Sequence, residues 1–98
     1  MKRERKVYTN GYSRQISLPS LFIKRANLRK GSKVKVEKNG DNLYISRAGG
    51  YGKELFEAKL HHNGGIVVPQ WFIVMNNLNL SDTYTVINIT ADRLEVRL

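Results

Sequence analysis

The sequence predicts a mainly β fold with two short helices, built as one domain from two related halves. Three observations lead there. Apolar and polar residues alternate over short stretches such as Arg14 to Leu18 and Lys33 to Glu37, the period of a half-buried strand. The pattern then returns fifty residues later without a gap: Ile16 aligns with Ile66, Leu18 with Val68, Pro19 with Pro69, Phe22 with Phe72, Ile23 with Ile73, Asn27 with Asn77, Leu28 with Leu78 and Val36 with Val86. Finally, 98 residues leave room for one small domain, and a half of that size is at the edge of what buries a core alone, so the halves are expected to share one. Two copies are too few for a solenoid. They point to one chain imitating a two-fold symmetric dimer.

Met1 to Lys6 is a basic run, read either as a solvated end or as an arm lying along phosphates. The first repeat is placed at 7–47. Val7 to Thr9 is a candidate strand and Asn10-Gly11 a turn. Arg14 to Leu18 follows as a strand with Ile16 and Leu18 on one face. Pro19 ends it and suits the start of a helix, where a missing N–H is no loss. Ser20 to Asn27 is predicted as that helix, with Phe22 and Ala26 inward and Lys24 and Arg25 outward. Leu28 plugs the core. Val34 and Val36 face in from the next strand, and Lys33, Lys35 and Glu37 are read as its solvated face. Asn39-Gly40-Asp41 makes a hairpin turn, and Leu43 and Ile45 return with the same alternation.

Residues 48–54 are rich in glycine and are expected to link the repeats. A link so short holds the halves at high effective concentration. The second repeat is placed at 55–98, with Phe56, Ala58 and Leu60 alternating as a strand and His61 to Gly65 as a loop. Pro69 opens a second helix, which Trp71, Ile73, Val74 and Met75 make apolar nearly all round. Such a helix is usually buried, here against a neighbouring face or a partner chain. Tyr84 and Val86 match Val34 and Val36. Leu94 and Val96 match Leu43 and Ile45 only with one inserted residue, which implies a bulge near Ile87 or an exposed apolar patch.

The charge is uneven. The first fifty residues carry 13 Lys/Arg against 3 Asp/Glu, the rest 4 against 5, for a net +9. Such an excess points to a polyanion, most often nucleic acid. No cysteine is present, so there is no disulfide framework or thiolate metal site. Apolar runs are too short to span a bilayer, and the charged N-terminus does not look like a signal peptide. A cytoplasmic, nucleoid-associated protein without membrane partners is expected. No nucleophile–base–acid set, phosphate loop or carboxylate pair stands out, so no enzyme and no cofactor are expected.

The repeated motifs resemble the AbrB/MazE/SpoVT family of swapped-hairpin DNA-binding domains. The first copy supplies Ser13-Arg14-Gln15-Ile16-Ser17-Leu18-Pro19, Leu28-Arg29-Lys30-Gly31-Ser32 and a hairpin ending in Ile45. The second supplies Ile66-Val67-Val68-Pro69, Leu78-Asn79-Leu80-Ser81-Asp82 and a hairpin ending in Val96. Gly31 lacks the aspartate that follows it in the family, and Asp82 lacks the preceding glycine. The resemblance implies an AbrB-like β-barrel of interleaved hairpins, formed here by a single-chain pseudo-dimer. It also implies a sequence-specific double-stranded DNA-binding transcriptional regulator. Alternatives are an antitoxin or other protein-interaction module of the same fold, or a non-specific DNA-coating protein. The chain ends straight after the hairpin, where antitoxins place a toxin-binding tail, which weighs against the antitoxin.

Carried over by position, the first copy offers Tyr12, Ser13, Arg14 and Gln15, flanked by Lys6, to bases and phosphates. Lys24 and Arg25 would touch the DNA backbone. The second copy offers Lys59, His61, His62 and Asn63. Adjacent histidines on a strand point to opposite faces, and neither a cysteine nor a carboxylate pair completes a site. They are therefore read as DNA contacts with some pH dependence rather than metal ligands. The contacts should be unequal in the two halves and favour imperfect palindromes. The helix bearing Trp71 and Met75 is the candidate surface for self-association or a protein partner.

Overall fold

A computed structural model describes residues 3–10, 13–47, 54–78 and 83–97. Along the chain these form β1 (Arg3–Asn10), β2 (Ser13–Ser17), α1 (Ser20–Arg25), β3 (Lys33–Asn39), β4 (Asn42–Ser46), β5 (Leu55–Lys59), β6 (Gly65–Val68), α2 (Gln70–Met75), β7 (Thr83–Ile89) and β8 (Arg93–Arg97). Fifty residues on, each element of the first half has its counterpart in the second. The strands are hydrogen-bonded antiparallel in the order β5-β3-β4-β8-β7-β1-β2-β6. Along this order, pairings between the halves alternate with pairings inside one half. Each long hairpin is thus flanked on both sides by strands of the other half: β3–β4 by β5 and β8, and β7–β8 by β4 and β1.

Ile16 lies opposite Ile66 and Tyr44 opposite Glu95 where the halves meet. The inward residues of both halves form one cluster. Ile16, Phe22, Val34, Val36, Leu43, Ile45, Ile66, Val68, Phe72, Val86, Leu94 and Val96 are all fully buried in it. Within β3 the burial alternates as the sequence predicts, with Val34 and Val36 inside. Phe72 and Phe56 pack at 4.6 Å between ring centroids, an edge contact that adds to area burial.

The closed barrel that the resemblance implies does not form: β5 and β6, at the two ends of the order, are not joined as a ladder. The cause is an inequality between β1 and β5. The eight-residue β1 pairs through Arg3–Lys6 with β7 and through Val7–Asn10 with β2. The five-residue β5 uses its whole length on β3. The chain then leaves the strand at Leu60 and turns, with Gly64 at φ +81°, a conformation glycine adopts at no steric cost. The registers also differ: Val36 lies opposite Phe56, whereas Val86 lies opposite Arg3.

β1 also corrects the reading of the N-terminal basic run. Arg3 to Lys6 are strand residues paired to Thr83–Val86, not an end outside the fold. Charged residues do not announce a strand; the pairing comes from β7, whose other edge is already bound to β8.

Both helices start from proline as the cap, one residue earlier than the first helical turn. The Pro19 carbonyl accepts from Phe22 and Ile23, and the Pro69 carbonyl from Phe72 and Ile73. Both stop after six residues, shorter than the predicted Ser20 to Asn27, because Asn27 and Asn77 turn to φ +54° and +51°. The N–H of Leu28 then reaches Ile23 and that of Asn27 reaches Lys24; Leu78 and Asn77 repeat this with Ile73 and Val74. This double bond is the Schellman closure of a helix. Arg47 supports it in the first half by donating to the Ala26 carbonyl at 3.1 Å.

Of the two outcomes open for the second hairpin, the bulge is the one found. The β7–β8 register slips between Val86 and Asn88, which returns Ile89 to the core at 9% exposure. Tyr84, in the place of Val34, is buried and its hydroxyl donates to the Ser17 carbonyl. Residues 48–53 of the proposed linker lie outside the described residues.

Candidate nucleic-acid interface

The pairing of β2 with β6 brings a loop of each half together. Leu18 N–H donates to the Gly64 carbonyl at 2.9 Å, continuing the ladder. The loop 61–64 is closed by His61 N–H on Gly65 O and Gly64 N–H on His61 O. Asn63 Oδ1 accepts the Gly65 N–H at 3.0 Å. A backbone N–H can only donate, so this bond sets which end of the Asn63 amide is oxygen. The same oxygen accepts Gln15 Nε2 at 3.0 Å. The orientation of both amides follows. Asn63 keeps its Nδ2 donor for other partners, and Gln15 keeps its Oε1 acceptor. Gln15 lies flat over Gly65: a Cβ there would stand 2.4 Å from Nε2 and 2.9 Å from Cγ. Gly65 is itself the counterpart of Gln15 in the repeat, so the second half can hold no equal side chain.

A second junction gathers cations. Gly31 N–H donates to Leu60 O at 2.7 Å and Leu60 N–H to Ser32 O at 2.8 Å. The turn is braced by Arg29 N–H on Ser32 Oγ at 2.8 Å. Lys33 then falls directly opposite Lys59. Like charges facing across a pair of strands destabilise it. Lys33 leans to Glu57 at 3.7 Å, the ion pair found among the described residues. Arg29, Lys30 and Lys59 remain exposed beside it, with His61 and His62 next along the chain. At the positions fifty residues away in the repeat stand Asn79, Leu80, Thr83 and Thr9. The cations of this edge are therefore not repeated at the corresponding positions of the sequence.

The residues singled out in the sequence are distributed as follows. Gln15 and Asn63 touch. Arg14 is half-buried at the end of β2, opposite Thr9 and Val68. Lys59, His61 and His62 are exposed at the second junction, the histidines in a turn rather than a strand. Lys24 and Arg25 are exposed in the last turn of α1, and Arg25 Nη1 donates to the Ile89 carbonyl at 3.4 Å. Lys6 is placed by its backbone opposite Thr83 and Ser13 opposite Asn10. Tyr12 lies outside the described residues. Sequence reasoning passed over Arg29 and Lys30 and read Lys33 as a solvated strand face. The signal that joins them to Lys59 is the pairing of β3 with β5, which no local pattern encodes.

α2 differs from α1 on its outer side. Phe72 is buried as Phe22 is, but Trp71, Val74 and Met75 are 44%, 65% and 55% exposed. The helix is not buried all round, as its composition led one to expect. Among the described residues no helix is long and apolar enough to cross a membrane. No family model, curated protein or solved structure matches the chain.

Proposed function

We propose that this chain is a sequence-specific double-stranded DNA-binding transcriptional regulator of AbrB type, folded as a single-chain swapped-hairpin pseudo-dimer. The observation that carries the reading is the amide pair of Gln15 and Asn63. It leaves the Gln15 Oε1 acceptor and the Asn63 Nδ2 donor on one exposed pair of bonded amides. Adenine shows the complementary pair in the major groove, the N6 donor beside the N7 acceptor. The edge of Arg29, Lys30, Lys33 and Lys59 supplies phosphate contacts that orient the duplex without reading it. In this reading Arg14, Lys24, Arg25 and the two histidines are further contacts. The swapped-hairpin reading rests on the strand order, in which each hairpin sits between strands of the other half. In this reading the protein is cytoplasmic and nucleoid-associated, needs no cofactor and is not an enzyme.

Binding of a labelled mixed-sequence duplex is measured by anisotropy across a salt series. Log affinity should fall steeply with log salt, by about 0.9 for each phosphate neutralised. Selection from a random duplex pool should then return an adenine-containing site that is not a strict inverted repeat. No binding at low salt would sink the reading. Binding without any selected sequence would leave a DNA-coating protein. A second reading, an antitoxin or other protein-interaction module of the same fold, is favoured by the exposed apolar side of α2.

A further inference from the structure

We infer that the outer face of α2 is a self-association surface, where two copies of this chain meet. Trp71, Val74 and Met75 fall at i, i+3 and i+4, one side of a helix, and stay exposed while Phe72 fills the core. The fold does not require them to be apolar. α1 holds the corresponding place with Leu21, Lys24 and Arg25 and buries only Phe22. Trp71 is also held in position. Its ring stands edge-on to Phe56 at 6.4 Å and to Phe72 at 5.7 Å. A side chain so fixed loses little rotamer freedom on binding.

Charge identifies the occupant. The chain carries +9, so two copies repel overall. Between Lys59 and Asp82 there is no Asp, Glu, Lys or Arg, and α2 sits in the middle of that stretch. An acidic partner would be drawn to the basic edge of Arg29, Lys30, Lys33 and Lys59, not here. Beyond the end of α2, Asn77 and Leu78 line a shallow groove with Lys38, Asp41 and Arg97. That rim has both signs. In a two-fold contact residue i meets j and j meets i, so Asp41 of one copy can face Lys38 or Arg97 of the other. A groove of both signs just past a neutral apolar helix can therefore meet its own copy.

Area sets the strength. Three partly exposed side chains on a six-residue helix fall well short of the roughly 800 Å² per partner of a standard interface. The dimer should be weak, with a dissociation constant of roughly 10 μM to 1 mM. The inference does not depend on DNA binding.

Sedimentation equilibrium of the full chain, without nucleic acid, tests it from about 5 μM to about 1 mM. Wild type should shift from monomer to dimer, with a blue shift in the emission of its single tryptophan. Val74→Lys with Met75→Arg restores the residues that α1 already carries. This variant should stay monomeric with unchanged thermal unfolding. A wild type that remains monomeric at the highest concentration overturns the inference, as does a double variant that dimerises equally. Wild type that stays monomeric but co-sediments with phosphatidylcholine vesicles also overturns it and assigns the face to a bilayer.

Discussion

Replacing Gly65 by alanine separates the amide pair from the stability of the fold. Gly65 lies in β6 on extended backbone that alanine accepts. The added Cβ would stand 2.4 Å from Gln15 Nε2, 2.9 Å from Cγ and 3.0 Å from Cδ. Because the clash reaches the stem of Gln15, the whole side chain must swing away and its bond to Asn63 is lost. That bond is exposed, so its loss costs about 0.5–1 kcal/mol. Exchanging glycine for alanine within a strand returns roughly 0.5–1 kcal/mol. The two nearly cancel, and the melting temperature should move by no more than about 4 °C. Recognition has no such compensation. Losing one two-point base contact removes about 1–3 kcal/mol of discrimination, roughly a 5- to 150-fold loss of preference. Thermal unfolding is measured beside competition between the selected duplex and one with the adenine replaced. A Gly65→Ala protein that keeps the wild-type base preference refutes the role given to the amides. A lost preference supports the role only if the fold is intact, which the melting curve reports.

Three further expectations follow from the same geometry. Changing Arg29, Lys30, Lys33 and Lys59 to glutamine should lower the salt slope of duplex binding by up to about 0.9 per residue. Unfolding should be unaffected or slightly harder, since Lys33 and Lys59 no longer face each other; an unchanged slope would remove this edge from the interface. Asn27→Ala and Asn77→Ala should each lower stability by about 1 kcal/mol in urea titration, because alanine resists positive φ. The two effects should add, and glycine at either site should be tolerated. Tyr84→Phe should cost about 1 kcal/mol through the hydrogen bond to the Ser17 carbonyl; no change would mean that water or another group replaces it.

The local grammar of this chain was readable and its long-range grammar was not. Alternation gave β3, β4 and most of β2, and the prolines marked both helix starts, because these features are written in neighbouring residues. Asn39 to Asp41 announced its hairpin for the same reason. The stop at Asn27 was missed by two residues, since a left-handed asparagine looks like any other polar residue in sequence. β1 was begun too late because a run of Arg, Glu and Lys has no apolar period. Among the site residues, Gln15 and Asn63 were both singled out, but their contact depends on the β2–β6 register. The gathering of Arg29, Lys30 and Lys33 around Lys59 depends on β3–β5. Registers between distant strands are settled by how two apolar faces fit, and a single strand does not carry that information.

The glycine beneath Gln15 has a consequence for inheritance. In a dimer of identical chains every substitution is made twice, once on each side of the axis. A glutamine at this position would then meet its own copy, and both could not lie flat. Joining the halves in one chain lifts that constraint. One half can hold the glutamine and the other the glycine, one helix can turn basic and the other greasy, and a single mutation tests each change alone. The two halves keep one order of strands and helix while their side chains differ in chemistry.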